Sequence, residues 1–394
     1  MRILYFTRDY TTHDRRFLQA LANTEHQVYF LQLERRGHTL EDRPLPVEIE
    51  QIHWSGGRSP ARLIDGPRLL LDLKRVIRQV RPDLVQAGPV QRAAFLAALA
   101  GFQPLVTMSW GYDLLVDANR SNTWRWATRF TLKHSRALVG DCQTIRRLAI
   151  AHGMPDERIV TFPWGVDLDH FSPAPLPPES SKARSLPFVL LSTRAWEPIY
   201  GVDVIARAFV TAAQGHPELQ LVMLGNGSLA GSLRRIFARG NVEEQVTYPG
   251  QVKYAELPRY YRMADLYVSA SHSDGTSISL LEAMACGKPV LVSDIPGNRE
   301  WVSSYAPLSP APFPQAGEGD GERGVGWLFP DGDADALAQA ILQALGQRSR
   351  LVEMGQQARA LAEERADWKK NFPGLFKAYE IAQARPSNRL RRQP

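Results

Sequence analysis

Acidic and small polar side chains are concentrated in residues 269–300, which read SASHSDGTSISLLEAMACGKPVLVSDIPGNRE. A loop precedes an apolar stretch of helical period, and it contains Gly275, Thr276 and Ser277. Backbone N–H groups at the start of such a helix bind anions such as phosphate. Asp274 and Glu282 lie eight residues apart across this helix start, and carboxylates accept hydrogen bonds from hydroxyl groups. The pattern predicts a ligand with a phosphate between two hydroxyl-rich parts. A turn cap at Asp274 with a solvated or ion-paired Glu282 is the structural alternative.

A second glycine-containing turn follows another apolar stretch. Residues 225–228 read GNGS, come after a predicted strand at 220–224 and open a predicted helix at 229–238. Gly225 and Gly227 would let a nucleotide approach the backbone closely. Two glycines also occur in turns that bind nothing, so both interpretations stay open here.

The elements that must position these residues alternate between short β-rich runs and longer helical patterns, which is typical of doubly wound parallel sheets. The first half predicts strands at 3–6, 27–33, 82–86, 104–108, 137–141 and 159–162, and helices at 15–22, 69–80, 91–100 and 123–135. The second half predicts strands at 188–192, 220–224, 246–248, 266–270 and 289–293, and helices at 202–211, 229–238, 257–263, 280–286, 334–345 and 351–384. A proline-rich linker is predicted at 172–186 and a surface insertion at 306–326. We expect the carboxyl ends of both sets of strands to face a ligand-binding cleft.

Composition restricts the function classes. The chain has 394 residues, is 44% hydrophobic and carries a net charge of +6, with 39 of its 47 basic residues being Arg. These values exclude disordered and fibrous classes and predict two domains. The two cysteines, Cys142 and Cys286, are too few for a disulfide framework or a zinc cluster, so we expect both side chains to be buried. We also expect the protein to reside in a reducing compartment. The longest apolar run, residues 93–102, predicts neither a signal peptide nor a membrane span.

The run LLEAMACGKPVLVSDIPGNREWV strongly resembles the donor-binding signature of retaining family-four glycosyltransferases of the GT-B fold. In that family an acid, seven residues, a Glu and then Ala-Met-Ala-x-Gly-x-Pro-Val bind a nucleotide sugar. The resemblance implies that Glu282 holds the ribose hydroxyls and that Asp274, where Glu is usual, acts at the donor sugar. It also implies donor binding by the helix start at Gly275, Thr276, Ser277 and Ile278.

Other segments resemble the family in the same order. Residues 192–209 are similar to the strand, loop and helix whose Arg and Lys bind the diphosphate, and Arg194 matches the Arg. Tyr200 stands at the Lys position, one residue further along, and offers one hydrogen bond but no charge. The resemblance implies that Gly225 and Gly227 lie beside the donor and that Val252 offers backbone hydrogen bonds to the base.

The first half is less similar to the family. His13, Asp14, Arg15 and Arg16 stand at the predicted first helix, where we expect contact with the acceptor or the donor phosphates, with helix capping and solvated arginines as the alternative. In the run TMSWGYD, Trp110 replaces a family histidine and Asp113 keeps an acid. We interpret Trp110 as a platform for a sugar ring and Asp113 as a group that orients the acceptor or sugar; a core Trp110 and a capping Asp113 are the alternative.

The resemblance implies a GT-B fold of two Rossmann-like domains: an acceptor domain at 1–171, the linker at 172–186, a nucleotide-sugar domain at 187–365, and at 366–394 a helix that returns to the first domain with a basic tail. It implies transfer of a sugar, with retention, from a UDP- or GDP-sugar to a hydroxyl of a glycan or lipid-linked acceptor. A nucleotide-sugar-binding protein without transferase activity and a phosphorylase or epimerase relative are the alternatives.

Partners and cofactors follow from the same interpretation. We expect no cofactor beyond the donor substrate, and no metal, because Asp331-Gly332-Asp333 reads as a turn with a helix N-cap. Nucleic-acid binding is not predicted, since basic residues are not clustered with interleaved aromatics. The expected location is the cytoplasm, with peripheral contact at the inner face of the membrane implied by the resemblance. The sequence carries no signal for an oligomeric state.

Overall fold

The computed structural model describes residues 1–35, 41, 43–58, 62–174, 187–302 and 324–384. Most of the predicted linker, residues 306–323 of the predicted insertion and the basic tail lie outside the described residues. The chain divides by its internal packing into two units, one formed by Met1–Phe162 with Phe372–Pro394 and the other by Pro163–Asn371.

The first unit contains a parallel sheet that, in the described residues, has seven strands in the order β3-β2-β1-β4-β5-β6-β7. Its strands are β1 (Arg2–Thr7), β2 (Gln27–Gln32), β3 (Glu50–Gln51), β4 (Leu84–Gly88), β5 (Leu105–Met108), β6 (Ala137–Gly140) and β7 (Ile159–Thr161). The helices between them are α1 (Thr12–Ala22), α2 (Gly66–Val80), α3 (Phe95–Ala100), α4 (Tyr112–Leu115), α5 (Asn122–His134) and α6 (Gln143–Ala151).

The second unit contains a parallel sheet with, in its described part, six strands in the order β10-β9-β8-β11-β12-β13. Its strands are β8 (Phe188–Ser192), β9 (Leu219–Leu224), β10 (Val246–Gly250), β11 (Leu266–Ser269), β12 (Val290–Ser293) and β13 (Gly326–Phe329). Its helices are α7 (Val202–Ala213), α8 (Ala230–Gly240), α9 (Leu257–Met263), α10 (Ile278–Ala285), α11 (Pro296–Val302), α12 (Ala334–Gly346), α13 (Leu351–Arg365) and α14 (Trp368–Asn371). The last helix, α15 (Gly374–Gln383), belongs to the first unit.

Burial on both faces explains the apolar strands of the second unit. Phe188 and Leu190 of β8 pack in one cluster with residues of α7, α8 and α12, whereas Leu191 packs on the opposite face with residues of α10 and α13. A strand that is covered on both faces must be apolar at successive positions, as in other parallel sheets. The predicted doubly wound α/β class is confirmed.

The segments near the C-terminus differ from the expected single helix over 351–384. The chain leaves α13 at Ala366, because the backbone of Asp367 pairs with that of Val166. Pro373 precedes α15 and cannot donate to a continuing helix. This pairing with Val166 also explains why residues 163–171 group with the second unit by packing, although the sequence analysis assigned them to the first domain.

The strand order reverses at one point in each sheet, between β1 and β4 and between β8 and β11. In open parallel sheets, ligands bind outside the carboxyl ends of the strands at such a reversal. Each unit therefore has a defined place at which a ligand site is expected. Within the described residues, no helix combines the length and apolar character needed to cross a bilayer.

Candidate functional site

The strand-order reversal of the second unit brings Arg194 and Asp274 together. Arg194 follows β8 and Asp274 follows the neighbouring β11. The Arg194 Nη2 donates to Asp274 Oδ2 at 2.7 Å, and Nη1 donates to the Oγ atoms of Ser277 at 3.0 Å and Ser279 at 3.1 Å. The side chains of Arg194 and Asp274 are only 12% and 20% exposed. A guanidinium is thus held at the start of α10, where the sequence predicts anion binding.

Charge and burial oppose each other in this pair. Burial raises the pKa of the Asp274 carboxyl, and the Arg194 charge acts against that rise. Burial alone would lower the pKa of Arg194, but Asp274 together with the neighbouring Tyr200, Tyr261 and Tyr267 raises that pKa overall, so the guanidinium stays charged. Arg194 Nε is buried and has no hydrogen-bond partner among the described residues. A buried charge with an unpaired donor is costly unless a ligand satisfies it.

Tyr200, which stands where the family has Lys, covers Arg194 with its ring. The guanidinium carbon lies 4.1 Å from the centre of the Tyr200 ring, which is a close cation–π contact. The sequence analysis considered the Tyr200 hydroxyl as a hydrogen-bond donor, and the geometry adds that the ring fixes the cation. Its donor-binding role stays a prediction.

The start of α10 is free of a side-chain cap from its own N-cap residue. The Ser277 side chain makes no capping bond within the described part of the chain, because its Oγ accepts from Arg194 instead. Thr276 and Ser277 are buried, and Gly297 lies so close that a Cβ there would come within 2.0 Å of the Gly275 carbonyl oxygen. The loop is therefore fixed by close backbone packing, with first-turn N–H groups left over from the helix ladder.

Gly225 and Gly227 pack against the loop that carries Arg194. A Cβ at Gly225, whose φ is +97°, would lie 3.0 Å from the Arg194 carbonyl oxygen, and one at Gly227 would lie 2.4 Å from the Trp196 carbonyl oxygen. The backbone of Trp196 bonds those of Asn226 and Leu229, and the Ser228 N–H donates to Glu197. These glycines thus join two loops at the carboxyl edge of the sheet, which is a structural reason for them beside the predicted donor contact.

Glu282 lies on α10 and is held by a buried tyrosine. The Tyr261 hydroxyl donates to Glu282 Oε2 at 2.7 Å and lies 3.0 Å from Thr193 Oγ1. Glu282 is 8% exposed, which excludes the solvated helix residue considered as an alternative. Val252 and Ile278 pack on the apolar cluster that also contains Tyr261. The roles of Glu282, Val252 and Ile278 toward a ligand stay predictions.

In the first unit, Asp14 caps α1. Its carboxylate accepts from the Thr11 backbone N–H at 2.9 Å and from the Tyr5 hydroxyl at 3.0 Å, and Thr11 caps the helix in return. Asp14 is fully buried, and this burial raises its pKa to about 6. This geometry favours the capping alternative, because the cap and the Tyr5 hydroxyl engage both oxygens, and contact of Asp14 with the acceptor stays a prediction.

His13 and Trp110 lie together at the strand-order reversal of the first unit. Their rings stack at 5.4 Å with an interplanar angle of 27°, and Phe17 contacts the edge of Trp110 at 6.0 Å. Both residues are partly exposed, as are Arg15 and Arg16 on α1. The structure thus brings two of the predicted acceptor residues into one aromatic surface, and their contact with an acceptor stays a prediction.

Asp113 is enclosed within the first unit. Its oxygens accept from the Ser109 hydroxyl at 2.6 Å and from the backbone N–H groups of Val90 at 2.9 Å and Leu114 at 3.0 Å. Burial raises the pKa of this carboxyl, and the hydrogen bonds oppose the rise. The side chain is 3% exposed, so this geometry favours a role in joining the segments after β4 and β5 over contact with a substrate.

The aspartates of residues 331–333 have structural partners. Asp333 accepts from the Ala336 N–H at 2.9 Å as the N-cap of α12, which confirms the predicted cap. Asp331 pairs with His272 Nδ1 at 2.7 Å. Among the described residues, no group of three or more His, Cys, Asp or Glu side chains is arranged to hold a metal ion.

Sequence reasoning missed the supporting residues Thr193, Tyr261, Tyr267 and Ser279. Tyr267 is fully buried and its hydroxyl donates to Ser279 Oγ at 2.7 Å, behind Arg194. The available signal was a tyrosine in each of two elements, the helix LPRYYRM and the apolar strand LYVS, since a buried Tyr hydroxyl usually finds a partner.

The sequence of this chain matches known protein families and relatives. The model of the family described as Glycosyl transferases group 1 matches residues 178–361, and that of Glycosyltransferase Family 4 matches residues 11–170. A D-inositol 3-phosphate glycosyltransferase of Kineococcus radiotolerans is 31% identical over 55% of this chain and 51% of its own length. A GDP-mannose-dependent alpha-(1-6)-phosphatidylinositol monomannoside mannosyltransferase of Mycolicibacterium smegmatis is 28% identical over 81% of this chain and 84% of its own.

Solved structures share the fold. The crystal structure of Anabaena HepE in complex with UDP and glucose superposes with a TM-score of 0.74 at 18% identity and covers 96% of this chain and 99% of its own. Sucrose-phosphate synthase from Thermosynechococcus elongatus superposes with a TM-score of 0.73 at 18% identity over 96% and 98%. The two parallel sheets have the GT-B architecture, and the chain belongs to glycosyltransferase family four, the glycosyl transferases group 1.

Proposed function

We propose that this enzyme transfers a sugar from a UDP- or GDP-linked donor, with retention of anomeric configuration and without a metal ion, to a hydroxyl of a glycan or lipid-linked acceptor. The observation that carries the proposal is the meeting of Arg194 and Asp274 at the start of α10, at the strand-order reversal of the second unit. Glu282 on the same helix supplies an acceptor for ribose hydroxyls. The relatives' names support this class of donor and acceptor, since one includes GDP-mannose and a phosphatidylinositol mannoside, and HepE binds UDP.

Arg194 and the N–H groups at the start of α10 are suited to a reaction in which a diphosphate is the leaving group. As the bond between the anomeric carbon and the phosphate oxygen breaks, negative charge grows on the diphosphate, and the Arg194 cation and the N–H groups of α10 stabilise it. The acceptor oxygen forms its bond to the anomeric carbon on the same face. Its proton passes to the leaving phosphate oxygen, so this route requires no strong protein base. Asp274 then orients the donor sugar beside Arg194.

A peripheral membrane contact suits the surface of α2. Ile64, in the turn before α2, and Leu71, on α2, are 86% and 62% exposed, and the nearby sequence carries the exposed cations Arg62, Lys74 and Arg75. An exposed helix with apolar and cationic side chains binds anionic lipid surfaces. Such a contact would bring the enzyme to a lipid-linked acceptor.

The proposed reaction is tested by incubating the full chain with UDP-glucose, UDP-N-acetylglucosamine or GDP-mannose, with and without glycan and phosphoinositide acceptors. We expect release of UDP or GDP and a product whose anomeric proton coupling matches that of the donor. Arg194→Ala should lower kcat by about a hundredfold, as removal of one group that stabilises a leaving charge does. An inverted product would contradict retention, and absence of nucleotide release with every donor would contradict the transferase proposal.

A further inference from the structure

Two buried tyrosines lie behind Glu282 and Arg194, which are two of the charged residues of the candidate site. Tyr261 of α9 and Tyr267 of β11 are both fully buried, and their ring centres lie 6.1 Å apart. Each hydroxyl donates a hydrogen bond at 2.7 Å, Tyr261 to Glu282 and Tyr267 to Ser279. Neither tyrosine can touch a ligand without rearrangement, so their effect on the site passes through these partners.

The Tyr261 hydroxyl orients the Glu282 carboxylate. It donates to Oε2 while lying 3.0 Å from Thr193 Oγ1, so a strand-end threonine and a helix glutamate share one phenol. Burial and the adjacent Glu282 charge raise the pKa of Tyr261 well above its usual value, which keeps the phenol protonated as a donor. A hydrogen bond to a charged group contributes more than one between neutral groups.

The Tyr267 hydroxyl supports the cation instead. It donates to Ser279 Oγ, and that oxygen accepts from Arg194 Nη1 at 3.1 Å. Ser277 Oγ lies 3.2 Å from Ser279 Oγ and also accepts from Arg194. The orientation of the guanidinium is thus linked through one serine to the second tyrosine.

We propose that Tyr261 and Tyr267 are positioning residues with separate tasks: Tyr261 sets the recognition of the ribose hydroxyls through Glu282, and Tyr267 sets the recognition of the diphosphate through Ser279 and Arg194. The inference rests on the proposed function, in which Glu282 and Arg194 bind these two parts of the donor. Recognition of the ribose and of the diphosphate of one nucleotide would thus depend on two different tyrosine hydroxyls beneath the site.

The test compares matched variants of the full chain, Tyr261→Phe and Tyr267→Phe, each of which loses one buried hydroxyl. UDP and GDP are titrated calorimetrically into the unmodified protein, and the tighter binder is used throughout. Two affinity ratios are measured for every variant: the nucleoside diphosphate against its 2′,3′-dideoxy form, and the diphosphate against the corresponding monophosphate. A loss that merely reflects a loosened fold would lower all affinities equally and leave both ratios unchanged.

Tyr261→Phe should lower the ratio of ribose to dideoxy affinity by about tenfold and leave the ratio of diphosphate to monophosphate unchanged. Tyr267→Phe should lower the ratio of diphosphate to monophosphate affinity by about tenfold and leave the ratio of ribose to dideoxy affinity unchanged. Tyr379→Phe removes an equally buried hydroxyl, bonded to Gln86 in the first unit, and should leave both ratios within about twofold of their original values. If Tyr261→Phe fails to fold, Tyr267→Phe alone carries the test, since it should lower the ratio of diphosphate to monophosphate affinity and leave the ribose ratio unchanged.

The positioning roles would be overturned if the unmodified chain binds UDP or GDP but each variant changes both affinity ratios equally or changes neither. That outcome would leave the proposed function intact. Absence of binding of both UDP and GDP to the unmodified chain would overturn the proposed function, and this inference with it.

Discussion

At the scale of single residues, an aromatic ring occupies the position at which the family has a second phosphate-binding cation. Tyr200 lies over the Arg194 guanidinium at 4.1 Å, and Asp274 and Ser277 hold its nitrogens. Arg194 is therefore the cation at the helix start; its geometry is fixed on several sides, and the Asp274 carboxylate offsets part of its charge. Pre-organisation of one cation can offset part of the missing second charge, since less conformational entropy is lost on binding.

The ring and the hydroxyl of Tyr200 can be separated by substitution. Tyr200→Phe keeps the cation–π contact and should bind UDP or GDP as the unmodified chain does. Tyr200→Ala removes a contact worth about 1 kcal/mol and should weaken binding about fivefold. Calorimetric titration of the two variants measures the difference. If Tyr200→Phe loses as much affinity as Tyr200→Ala, the hydroxyl rather than the ring is the functional group.

Asp14 makes the stability of the chain depend on pH in an unusual direction for an aspartate. Its pKa rises from 3.8 to about 6 on folding, because the carboxyl is fully buried at the α1 cap. Between these two values the folded state binds the proton more tightly than the unfolded state. Stability therefore falls as pH rises through this interval, by about 3 kcal/mol if the whole shift is expressed.

Asp14→Asn removes this titration, and urea denaturation of the two proteins at pH 4, 5, 6 and 7 provides the measurement. The free energy of unfolding of the unmodified chain, relative to that of the variant, should decrease steadily over the series. A difference that stays constant, or that grows with pH, would show that Asp14 titrates as an ordinary capping carboxylate. Glu218→Gln provides the contrast: the hydrogen bond with His216 lowers the pKa of this exposed carboxyl, so the corresponding difference should grow, not shrink, from pH 4 to pH 5.

At the scale of elements, the alternation of apolar runs was sufficient to predict most of the strands and the doubly wound sheets. The short elements were missed for physical reasons. β3 has two exposed residues and no periodicity, and β13 begins at Gly326, where a Cβ would lie 1.8 Å from the Val290 carbonyl oxygen. Glycine is required there by strand pairing, although in the sequence it reads as the end of a loop.

Among the site residues too, some could be found from a sequence pattern and others depend on tertiary packing. Arg194, Asp274 and Glu282 were found because long motifs with specific spacing carry them. Tyr261 and Tyr267 were not, because their roles depend on which face of α9 and β11 meets α10, and that is decided by tertiary packing. The predicted ligand contacts of Asp14 and Asp113 stay predictions, and the structure favours structural roles for both, since a sequence does not reveal whether a carboxylate has its hydrogen bonds met within the fold.

The α2 surface provides an element-scale test of membrane contact. Leu71 of α2 and Val352 of α13 are equally exposed, at 62% each, but only Leu71 lies among several exposed cations. Leu71→Asp should weaken sedimentation with vesicles of phosphatidylglycerol and phosphatidylcholine by about tenfold, because it loses apolar insertion and adds a like charge to the anionic surface. Val352→Asp should bind as the unmodified chain does. Equal loss in both variants, or no binding to anionic vesicles at all, would contradict a docking role for α2.

At the scale of the whole molecule, the two units carry the same kind of strand-order reversal but different chemistry beside it. The second unit places a charged pair and an uncapped helix start there, whereas the first places the stacked rings of His13 and Trp110. The charged pair and helix start are suited to an anion, and the stacked rings are suited to the flat apolar face of a sugar ring. This division is the physical basis for assigning the nucleotide to the second unit and the acceptor to the first.

Hydrogen exchange tests that assignment directly. Binding of UDP or GDP should slow exchange in peptides that cover residues 194–200, 225–228 and 274–279, because the ligand bonds the N–H groups of α10 and suppresses local opening of the adjoining loops. Peptides that cover β3 and α6 of the first unit should exchange at unchanged rates. At a nucleotide concentration of about one hundred times the dissociation constant, the stabilisation is about 2.7 kcal/mol, which slows exchange by global opening of the second unit about a hundredfold. Protection confined to the α1 region, with none at 274–279, would place the nucleotide in the first unit and reverse the assignment of the two sites.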